Sequence, residues 1–167
     1  MPRQNIAVTV DIVVFSVIEG DLQVLLVKRK FSPYKGKYAI PGGFVNTGEA
    51  LEDAAARELQ EETGVTDIFL KKLTAYGHPK RDPRGHVVSI VYMALIDAQK
   101  FKLQATTDAL KAVWQSVDTV KDLAFDHMTI LRESLDALQL RIQTTNIAAQ
   151  LLPDTFTLTE LQQTYES

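Results

Sequence analysis

The stretch GGFVNTGEALEDAAARELQEETGV, from Gly42 to Val65, decides the fold because it joins a glycine-rich loop to a strongly acidic helix. It contains six carboxylates, five of them glutamates, and a single arginine. From about Ala50 the apolar residues recur at helical spacing, and Gly64 stands where a C-terminal cap is expected. Like charges one turn apart repel each other on a helix, so some cation must compensate these acids.

Three of the acids share one side of this helix. Glu58 and Glu62 are four residues apart, and Glu61 is three residues from Glu58. Clustered carboxylate oxygens suit Mg²⁺, whose remaining positions are filled by water and substrate phosphate. Arg57 can pair with a neighbouring acid and orient it. A solvated acidic face is the alternative, but the glycines around the helix favour a loop built for close backbone approach.

The composition is that of a globular protein rather than a disordered one. The 167 residues are 46% hydrophobic and 23% charged, with a formal net charge of -3 and no cysteine. Disulfides and thiolate metal sites are therefore excluded, and the charge gives no footprint for nucleic acid. The N-terminal stretch is apolar from Ile6, but Asp11 interrupts it and no signal-peptide pattern appears. We expect a cytoplasmic protein without a membrane partner.

The rest of the chain is typical of strands around two main helices in mixed order, which predicts a compact α/β or α+β sandwich. The predicted strands are a hairpin of Ala7–Ile18 with Leu22–Lys28, followed by segments within TDIFLKKLTAYG (66–77), HVVSIVYMALID (86–97) and KAVWQSV (111–117). The stretch DHMTILRESLDALQLRIQ (126–143) predicts the second helix. Thr157 and Glu160 form a capping-box pattern that opens a last helix.

The spacing within the acidic stretch resembles the signature of a known family. Gly43 is followed after five residues by Glu49, and after seven more by RELQEETGV, from Arg57 to Val65. Every fixed position of the Nudix box is matched by this pattern. The resemblance implies a Nudix fold, a mixed sheet sandwiched between helices, over about residues 6–141. We therefore expect a Nudix hydrolase domain at residues 1–143, with a linker and short helical appendage at 144–167.

The resemblance also implies roles for the matching residues. Glu58 and Glu62 would be the principal metal ligands, and Glu61 a further ligand or the catalytic base. The backbone carbonyl of Gly42 would complete the metal site, while Arg57 holds the carboxylates in place. Glu49 would support the loop and the helix. The implied cofactor is Mg²⁺, for which Mn²⁺ can substitute, and the implied reaction is hydrolysis of a nucleoside diphosphate derivative.

Stretches outside the box resemble a bacterial subgroup of Nudix ADP-ribose pyrophosphatases. They are FSPYKGKYAIPGGFV (31–45), GHPKRDPRGHVVSIVYMALI (77–96), LAFDHMTIL (123–131) and LPDTFTLTELQQTYE (152–166). The implied activity is hydrolysis of ADP-ribose to AMP and ribose 5-phosphate within NAD recycling. A Nudix hydrolase acting on another nucleoside diphosphate derivative stays open as an alternative.

Four residues are candidates for binding substrate. Arg81 and Arg84 offer planar donor sets for a phosphate or the terminal ribose, although Asp82-Pro83-Arg84-Gly85 also fits a type I turn that needs no ligand. Arg29 lies at the end of the second strand and could contact phosphate, or be solvated. Phe44, beside the glycines, is a candidate for stacking on adenine, or a core residue.

The remaining titratable candidates favour structural roles. Asp126 and His127 are expected to orient a loop or cap the second helix rather than act in catalysis. His78 and His86 flank the turn at 82–85 and are expected at the pocket edge. No pair of histidines has metal-ligand spacing, which disfavours zinc.

The same resemblance reaches a family of Nudix-related transcriptional regulators of NAD metabolism. These regulators join an ADP-ribose-sensing domain to a winged helix-turn-helix, and FTLTELQQTYES (156–167) resembles the first helix of that module. A sensor domain is therefore the alternative to an enzyme. The complete set of box acids favours the enzyme, and direct nucleic-acid binding is not expected of this chain. By the resemblance, the protein is expected to be a homodimer.

Overall fold

The computed structural model describes residues 5–104 and 109–144, with side chains as far as residue 142. The described chain forms a mixed sheet between two α-helices, in the order β1 (Ala7–Ile18), β2 (Asp21–Arg29), β3 (Tyr38–Ala39), β4 (Gly42–Phe44), α1 (Leu51–Thr63), β5 (Lys71–Tyr76), β6 (Val87–Leu95), β7 (Ala109–Ser116) and α2 (His127–Thr144). None of these helices is long and apolar enough to cross a membrane.

Strand β1 is the centre of the sheet. One of its edges pairs in parallel with β6 from Ala7 to Phe15, and β5 pairs with the far edge of β6. The other edge pairs with β2 only from Phe15 to Ile18, beyond which the two strands of the hairpin diverge. Strand β4 pairs with β1 in the fork that this leaves, while β3 pairs with β2. The glycine-rich loop is thereby held between the strands of the hairpin.

The alternation of side chains along β1 supplies a core on each face of the sheet. Val13 and Phe15 are fully buried on the face covered by α2, where they join Ile130. Ile12 and Val14 are fully buried on the opposite face. That face is covered by the apolar side of α1, made of Ala54, Ala55 and Leu59. Because its apolar side is packed against the sheet, α1 presents its remaining sides away from this core.

The C-terminus of α1 is fixed by local hydrogen bonds. Gly64 has the left-handed conformation (φ 79°), and its N–H donates to the carbonyl of Gln60 at 2.9 Å. The hydroxyl of Thr63 donates to the carbonyl of Leu59 at 2.6 Å and accepts from the N–H of Val65 at 3.2 Å. The predicted glycine cap is confirmed, and it stops the helix directly after its last two glutamates.

Most of the predicted elements are confirmed. The hairpin, both long helices and the strands corresponding to β6 and β7 appear where the pattern places them, and Gly85 N–H closes the predicted turn on Asp82 O at 3.3 Å. The strand expected within 66–77 is shorter, because Ile68 and Leu70 pack into the core beneath α1 and pairing with β6 begins only at Lys71. The last predicted helix lies outside the described residues.

Candidate active site

Two adjacent glycines bring the loop against both β1 and α1. A Cβ atom on Gly42 would lie 2.1 Å from the carbonyl oxygen of Val10, within the strand that Gly42 pairs with. A Cβ atom on Gly43 would lie 2.4 Å from the carboxyl carbon of Glu58. Real Cβ atoms do not approach so closely, so Gly42, which meets rigid backbone, requires glycine, whereas a side chain at Gly43 would displace the Glu58 carboxylate. The close approach places the backbone of the loop directly beside the carboxylates of α1.

Arg57 ties this loop to the helix. Its Nε and Nη2 atoms donate to the two carboxylate oxygens of Glu49 at 2.6 and 2.8 Å, and Nη2 also donates to the carbonyl of Phe44 at 3.1 Å. Nη1 donates to Glu58 at 2.7 Å. The N–H of Asn46 donates to Glu49 at 2.8 Å. The hydrogen bonds from Arg57, followed by the one from Asn46, lower the pKa of Glu49 to about 2.

Glu62 is the buried member of the acidic group. Its side chain accepts a hydrogen bond from the N–H of Gly42 at 2.9 Å, and the residue is only 9% exposed. Burial raises the pKa of Glu62 to about 8; the Gly42 hydrogen bond opposes that increase, while repulsion from Glu58 and Asp11 adds to it. The protein alone disfavours the charged form of the Glu62 carboxyl group, and a cation bound nearby would stabilise that charged form.

The donor set fits a hard divalent cation. Glu58, Glu61 and Glu62 line one cleft together with Gly42, and oxygen atoms are the ligands that Mg²⁺ and Mn²⁺ take. Within residues 5–104 and 109–144, no three acidic, histidine or cysteine side chains already stand as a ligand group. Glu58 and Glu61 instead lie beside Nη1 of Arg57, at 2.7 and 3.4 Å.

The opposite wall of the cleft is cationic and aromatic. Arg84 is held by Asp82, whose carboxylate accepts from Nη2 at 2.6 Å and from Nε at 3.0 Å. The guanidinium carbon of Arg84 lies 4.7 Å from the ring centroid of Phe44. Arg29 donates from Nε to the carbonyl of Pro33 at 2.8 Å. These arginines and the α1 glutamates face a common space of about 510 Å³, which suits a small charged ligand.

Arg81 differs from the other candidate arginines because its side chain is buried in an ion pair. Its Nε and Nη2 atoms donate to the two oxygens of Asp126 at 2.8 and 2.7 Å, and Nη2 lies 3.5 Å from Asp11. Asp126 thereby fixes the loop that precedes α2, in keeping with its expected structural role. Arg81 lines the cleft, but its planar fork faces Asp126.

His127 is part of the same buried layer. Its Nδ1 atom accepts a hydrogen bond from the N–H of Ile40 at 3.0 Å, and its Nε2 atom lies 3.6 Å from Asp11. Burial lowers the pKa of His127, although Asp11 and Asp126 oppose this. The neutral imidazole thus connects α2 to the strand segment that leads into the glycine loop.

Sequence reasoning missed two residues of the cleft. Asp11 accepts a hydrogen bond from the hydroxyl of Ser89 on the neighbouring strand and lies close to Arg81. The sequence does contain a signal for Asp11, which is a charged residue inside an otherwise apolar strand. Phe125 has no such signal, yet its ring lies 4.7 Å from the guanidinium of Arg29 and 5.4 Å from that of Arg84. Of the expected histidines, His86 lines a neighbouring cavity that shares Phe44 with the cleft.

The loop, the acidic helix and their arrangement on the sheet match a known family. The family model for the NUDIX domain matches residues 7–138, which is more than half of the chain. The chain belongs to the NUDIX family. This confirms the resemblance inferred from the box and the Nudix fold predicted with it. NUDIX hydrolases use divalent metals, which agrees with the oxygen-rich donor set of α1.

Two of the relatives that this chain matches have different functions. The ADPR responsive transcriptional repressor NtrR of Acinetobacter baylyi is 38% identical over 162 residues, which cover 95% of this chain and 64% of the repressor. The chain thus spans less than two thirds of that relative's length. The ADP-ribose pyrophosphatase of Methanocaldococcus jannaschii is 44% identical over 127 residues, covering 76% of this chain and 72% of that protein.

A solved structure supports the same relationship. The NUDIX domain of Shewanella oneidensis NrtR, crystallised with ADP ribose, superimposes with a TM-score of 0.76 at 31% identity. The superposition covers 81% of this chain and 90% of that domain. The mixed sheet between two helices is therefore shared with a domain that was solved in complex with ADP ribose.

Proposed function

We propose that this protein hydrolyses the pyrophosphate bond of ADP-ribose to AMP and ribose 5-phosphate, with Mg²⁺ as cofactor and Mn²⁺ as a substitute, in NAD recycling. The observation that carries the proposal is the cleft with two chemically distinct walls. One wall holds Glu58, Glu61 and Glu62, and the other holds Arg29 and Arg84. A diphosphate needs both a metal-binding wall and a cationic wall. The 44% identical relative named ADP-ribose pyrophosphatase supports this choice of substrate.

The chain's own groups divide the work of hydrolysis. Glu58 and Glu62, with the carbonyl of Gly42, would hold the divalent cation, while Arg57 keeps the glutamates and the loop in register. A bound cation would neutralise the pyrophosphate and lower the pKa of the attacking water. Glu61 is the proposed general base, which takes the proton from that water. The water oxygen bonds to one phosphorus, and the bridging oxygen leaves with the other phosphate.

The cationic wall would orient the substrate. Arg84 and Arg29 are the proposed phosphate contacts. Arg81 is a further proposed contact at the base of the cleft, through those N–H groups of its guanidinium that do not donate to Asp126. Phe44 is 41% exposed at the rim, where it can stack on the adenine while its carbonyl accepts from Arg57. Its ring already lies against Arg84, so a stacked base and a bound phosphate would be neighbours.

The proposal extends to the organisation of the protein. Residues 1–143 would form the catalytic domain, and 144–167 a linker and helix related to the start of a winged-helix module. We also propose a cytoplasmic homodimer. Exposed apolar residues near the start of β1, Ile6 (43%) and Val8 (36%), are the surface that supports self-association. Sedimentation equilibrium would test the dimer, and a concentration-independent monomer would contradict it.

A sensor of ADP-ribose is the second candidate function. It is favoured by the alignment with the repressor NtrR, which covers 95% of this chain and so reaches beyond the NUDIX-matched residues. The enzyme is preferred because a sensor has no need to keep Glu49, Arg57 and the three α1 glutamates together. Specific, tight binding of this chain to operator DNA in a gel-shift assay would reverse that preference.

A substrate panel tests the proposed activity. Purified protein would be incubated with ADP-ribose, NADH, diadenosine polyphosphates and nucleoside triphosphates in the presence of Mg²⁺, and kcat/KM would be compared by product chromatography. We expect ADP-ribose to exceed each competitor by at least about tenfold. A preference for another nucleoside diphosphate derivative would keep the chemistry and replace the substrate. Tight ADP-ribose binding without cleavage would favour the sensor.

A further inference from the structure

Phe125 occupies an unusual backbone conformation at the edge of the cleft. It has a positive φ of 55° and lies two residues before the start of α2. A bulky side chain rarely adopts the left-handed region, because its Cβ then crowds the backbone. Such conformations persist where the surroundings hold them and are concentrated at functional sites. The positive φ therefore marks Phe125 as a candidate for a role in the site.

The ring is held by other aromatic groups. Tyr34 packs edge-on against it at a centroid distance of 4.8 Å, and His127 lies 5.3 Å away at a tilted angle. His127 is in turn fixed by its hydrogen bond from the N–H of Ile40. These contacts tie the ring to α2 and to the loop between β2 and β3, so its position is set by two separate parts of the fold.

Two arginines from different strands and turns converge on this one ring. The guanidinium carbon of Arg29 lies 4.7 Å from the ring centroid and that of Arg84 lies 5.4 Å from it. Both distances are within the range of a cation–π interaction. Each arginine also has an anchor of its own, the carbonyl of Pro33 for Arg29 and the carboxylate of Asp82 for Arg84. The ring is the group that the two side chains share.

Bringing two guanidinium groups together is unfavourable unless an anion or an aromatic face compensates for their repulsion. Burial, followed by the charge of Arg84, lowers the pKa of Arg29, while Glu62, Asp82 and Asp11 oppose this decrease. Among the described residues, no carboxylate forms an ion pair with Arg29. The pair opens into the cleft that also contains the α1 glutamates. Its arrangement therefore matches an anionic phosphate group placed beside the metal-binding wall.

We propose that Phe125 is a positioning residue that holds Arg29 and Arg84 as a pair for one phosphate group of the substrate. The proposal rests on the proposed hydrolysis of a nucleoside diphosphate derivative, and it adds a residue that the box does not contain. The ring acts through the arginines rather than through the reacting atoms. Its loss should therefore weaken binding much more than it slows the chemical step.

Steady-state kinetics on Phe125→Leu test this directly. We expect KM for ADP-ribose to rise by about fivefold to thirtyfold, as for the loss of two cation–π contacts, with kcat changed by less than about threefold. Phe125→Tyr keeps the aromatic face and should restore KM to within about twofold. The matched control is Phe69→Leu, at a ring that is 73% exposed and does not line the cleft; its KM should stay at the wild-type value.

Binding without turnover separates this proposal from the proposed function. The probe is inorganic pyrophosphate, titrated calorimetrically into each variant with Mg²⁺ present. Phe125→Leu should weaken its binding in parallel with the rise in KM. In the background of Arg29→Gln, the same change should lose at least about half of its effect, because one of the two contacts is already gone. A wild-type protein that does not cleave ADP-ribose would overturn the proposed function, while the pyrophosphate titration would still decide the role of Phe125.

Three results would overturn the role of Phe125. The first is a Phe125→Leu variant that folds and keeps both KM and pyrophosphate affinity within about twofold of wild type. The second is a failure of both Phe125→Leu and Phe125→Met to fold, judged by thermal unfolding, which would assign the ring to the fold instead of the site. An additive response in the Arg29→Gln background would also contradict pairing through the ring.

Discussion

Arg57 and Arg81 are each the centre of a network of acids, yet the two networks are built differently. The partners of Arg57 lie within 13 residues of it along the chain, on α1 and in the preceding loop. The partners of Arg81 are Asp126, 45 residues away, and Asp11, on the central strand. Both arginines line the cleft, but the Arg57 side chain is 26% exposed, whereas that of Arg81 is only 4% exposed. We infer that the Arg57 network serves the chemistry, and that the Arg81 network stabilises the fold in addition to the substrate contact proposed for Arg81.

The buried network should show the largest effect on stability. Arg81→Met removes one partner and leaves Asp126 and Asp11 without it, so we expect a loss of about 3–5 kcal/mol in the free energy of unfolding. Urea denaturation would measure it. The matched change Arg57→Met should cost less than about half of that, because the Arg57 side chain is 26% exposed and that of Arg81 only 4%. Its turnover should nevertheless fall by about tenfold to a hundredfold, through misplacement of the glutamates.

A double variant makes this comparison sharper. Adding Asp126→Leu to Arg81→Met removes the half-buried acid that the single change leaves without its ion-pair partner, so part of the lost stability should return. If Arg81→Met alone costs less than about 1 kcal/mol, the buried ion pair is not a structural element, and Arg81 is reassigned to substrate binding.

The acids of α1 that line the cleft should show the largest effect on activity. Glu61→Gln and Glu62→Gln should each reduce kcat by at least about a hundredfold, as for the loss of a general base and a metal ligand. The control is Glu52→Gln, at an acid of the first turn of α1 that contacts Tyr92 and Lys72 outside the cleft. Near-normal rates in both site variants would show that these are not the catalytic carboxylates.

The raised pKa of Glu62 predicts a pH-dependent response to metal. In the metal-free protein this pKa is about 8, against an ordinary value of 4.5. Between these values the folded state holds a proton that the unfolded state has lost, so stability falls as pH rises through the interval. Bound Mg²⁺ would stabilise the deprotonated Glu62 side chain and so offset this loss of stability. The increase in Tm on adding Mg²⁺ should therefore be larger at about pH 8.5 than at about pH 6.

Thermal unfolding with Mg²⁺ or with EDTA at both pH values provides the test. Glu62→Gln is the control, since an uncharged amide should remove most of the pH dependence of the metal-free protein. An equal Tm increase at both pH values would contradict the assignment of Glu62 as a buried ligand that must lose its proton to bind metal.

An exposed ion pair gives the smallest expected effect. Lys37 and Asp122 approach to 2.6 Å, as close as Arg57 and Glu49, but their side chains are 45% and 65% exposed. Asp122→Asn should change the free energy of unfolding by less than about 1 kcal/mol, because water and salt screen the pair. Urea denaturation would measure it. If Asp122→Asn lowers the free energy of unfolding as much as Arg81→Met does, burial does not determine how strongly an ion pair stabilises this protein.

The same contrast explains what the sequence could predict. The acidic helix, its glycine cap and the hairpin depend on neighbours close along the chain, so periodicity and spacing identify them. Arg57 and its glutamates belong to the same local pattern. The family of the chain follows from that pattern, and the NUDIX match confirms it.

The cleft residues that sequence reasoning missed depend on contacts between segments far apart along the chain, which no local sequence pattern predicts. Asp11 becomes part of the cleft only because β6 and α2 bring Ser89 and His127 to it. Phe125 lies against Arg29 and Arg84 with a left-handed backbone conformation, which its neighbours along the chain do not predict. For Arg81 the sequence indicates a binding arginine, while its buried partner is visible only in the folded chain.

The most direct test of the central claim is a single assay of ADP-ribose hydrolysis with Mg²⁺, then with excess EDTA, then with Mg²⁺ restored. If the α1 glutamates bind the metal that drives the reaction, AMP and ribose 5-phosphate will form in equal amounts, stop forming in EDTA and form again when Mg²⁺ returns. Turnover that continues undiminished in excess EDTA would contradict the account, as would folded protein that binds ADP-ribose with Mg²⁺ present and releases no AMP.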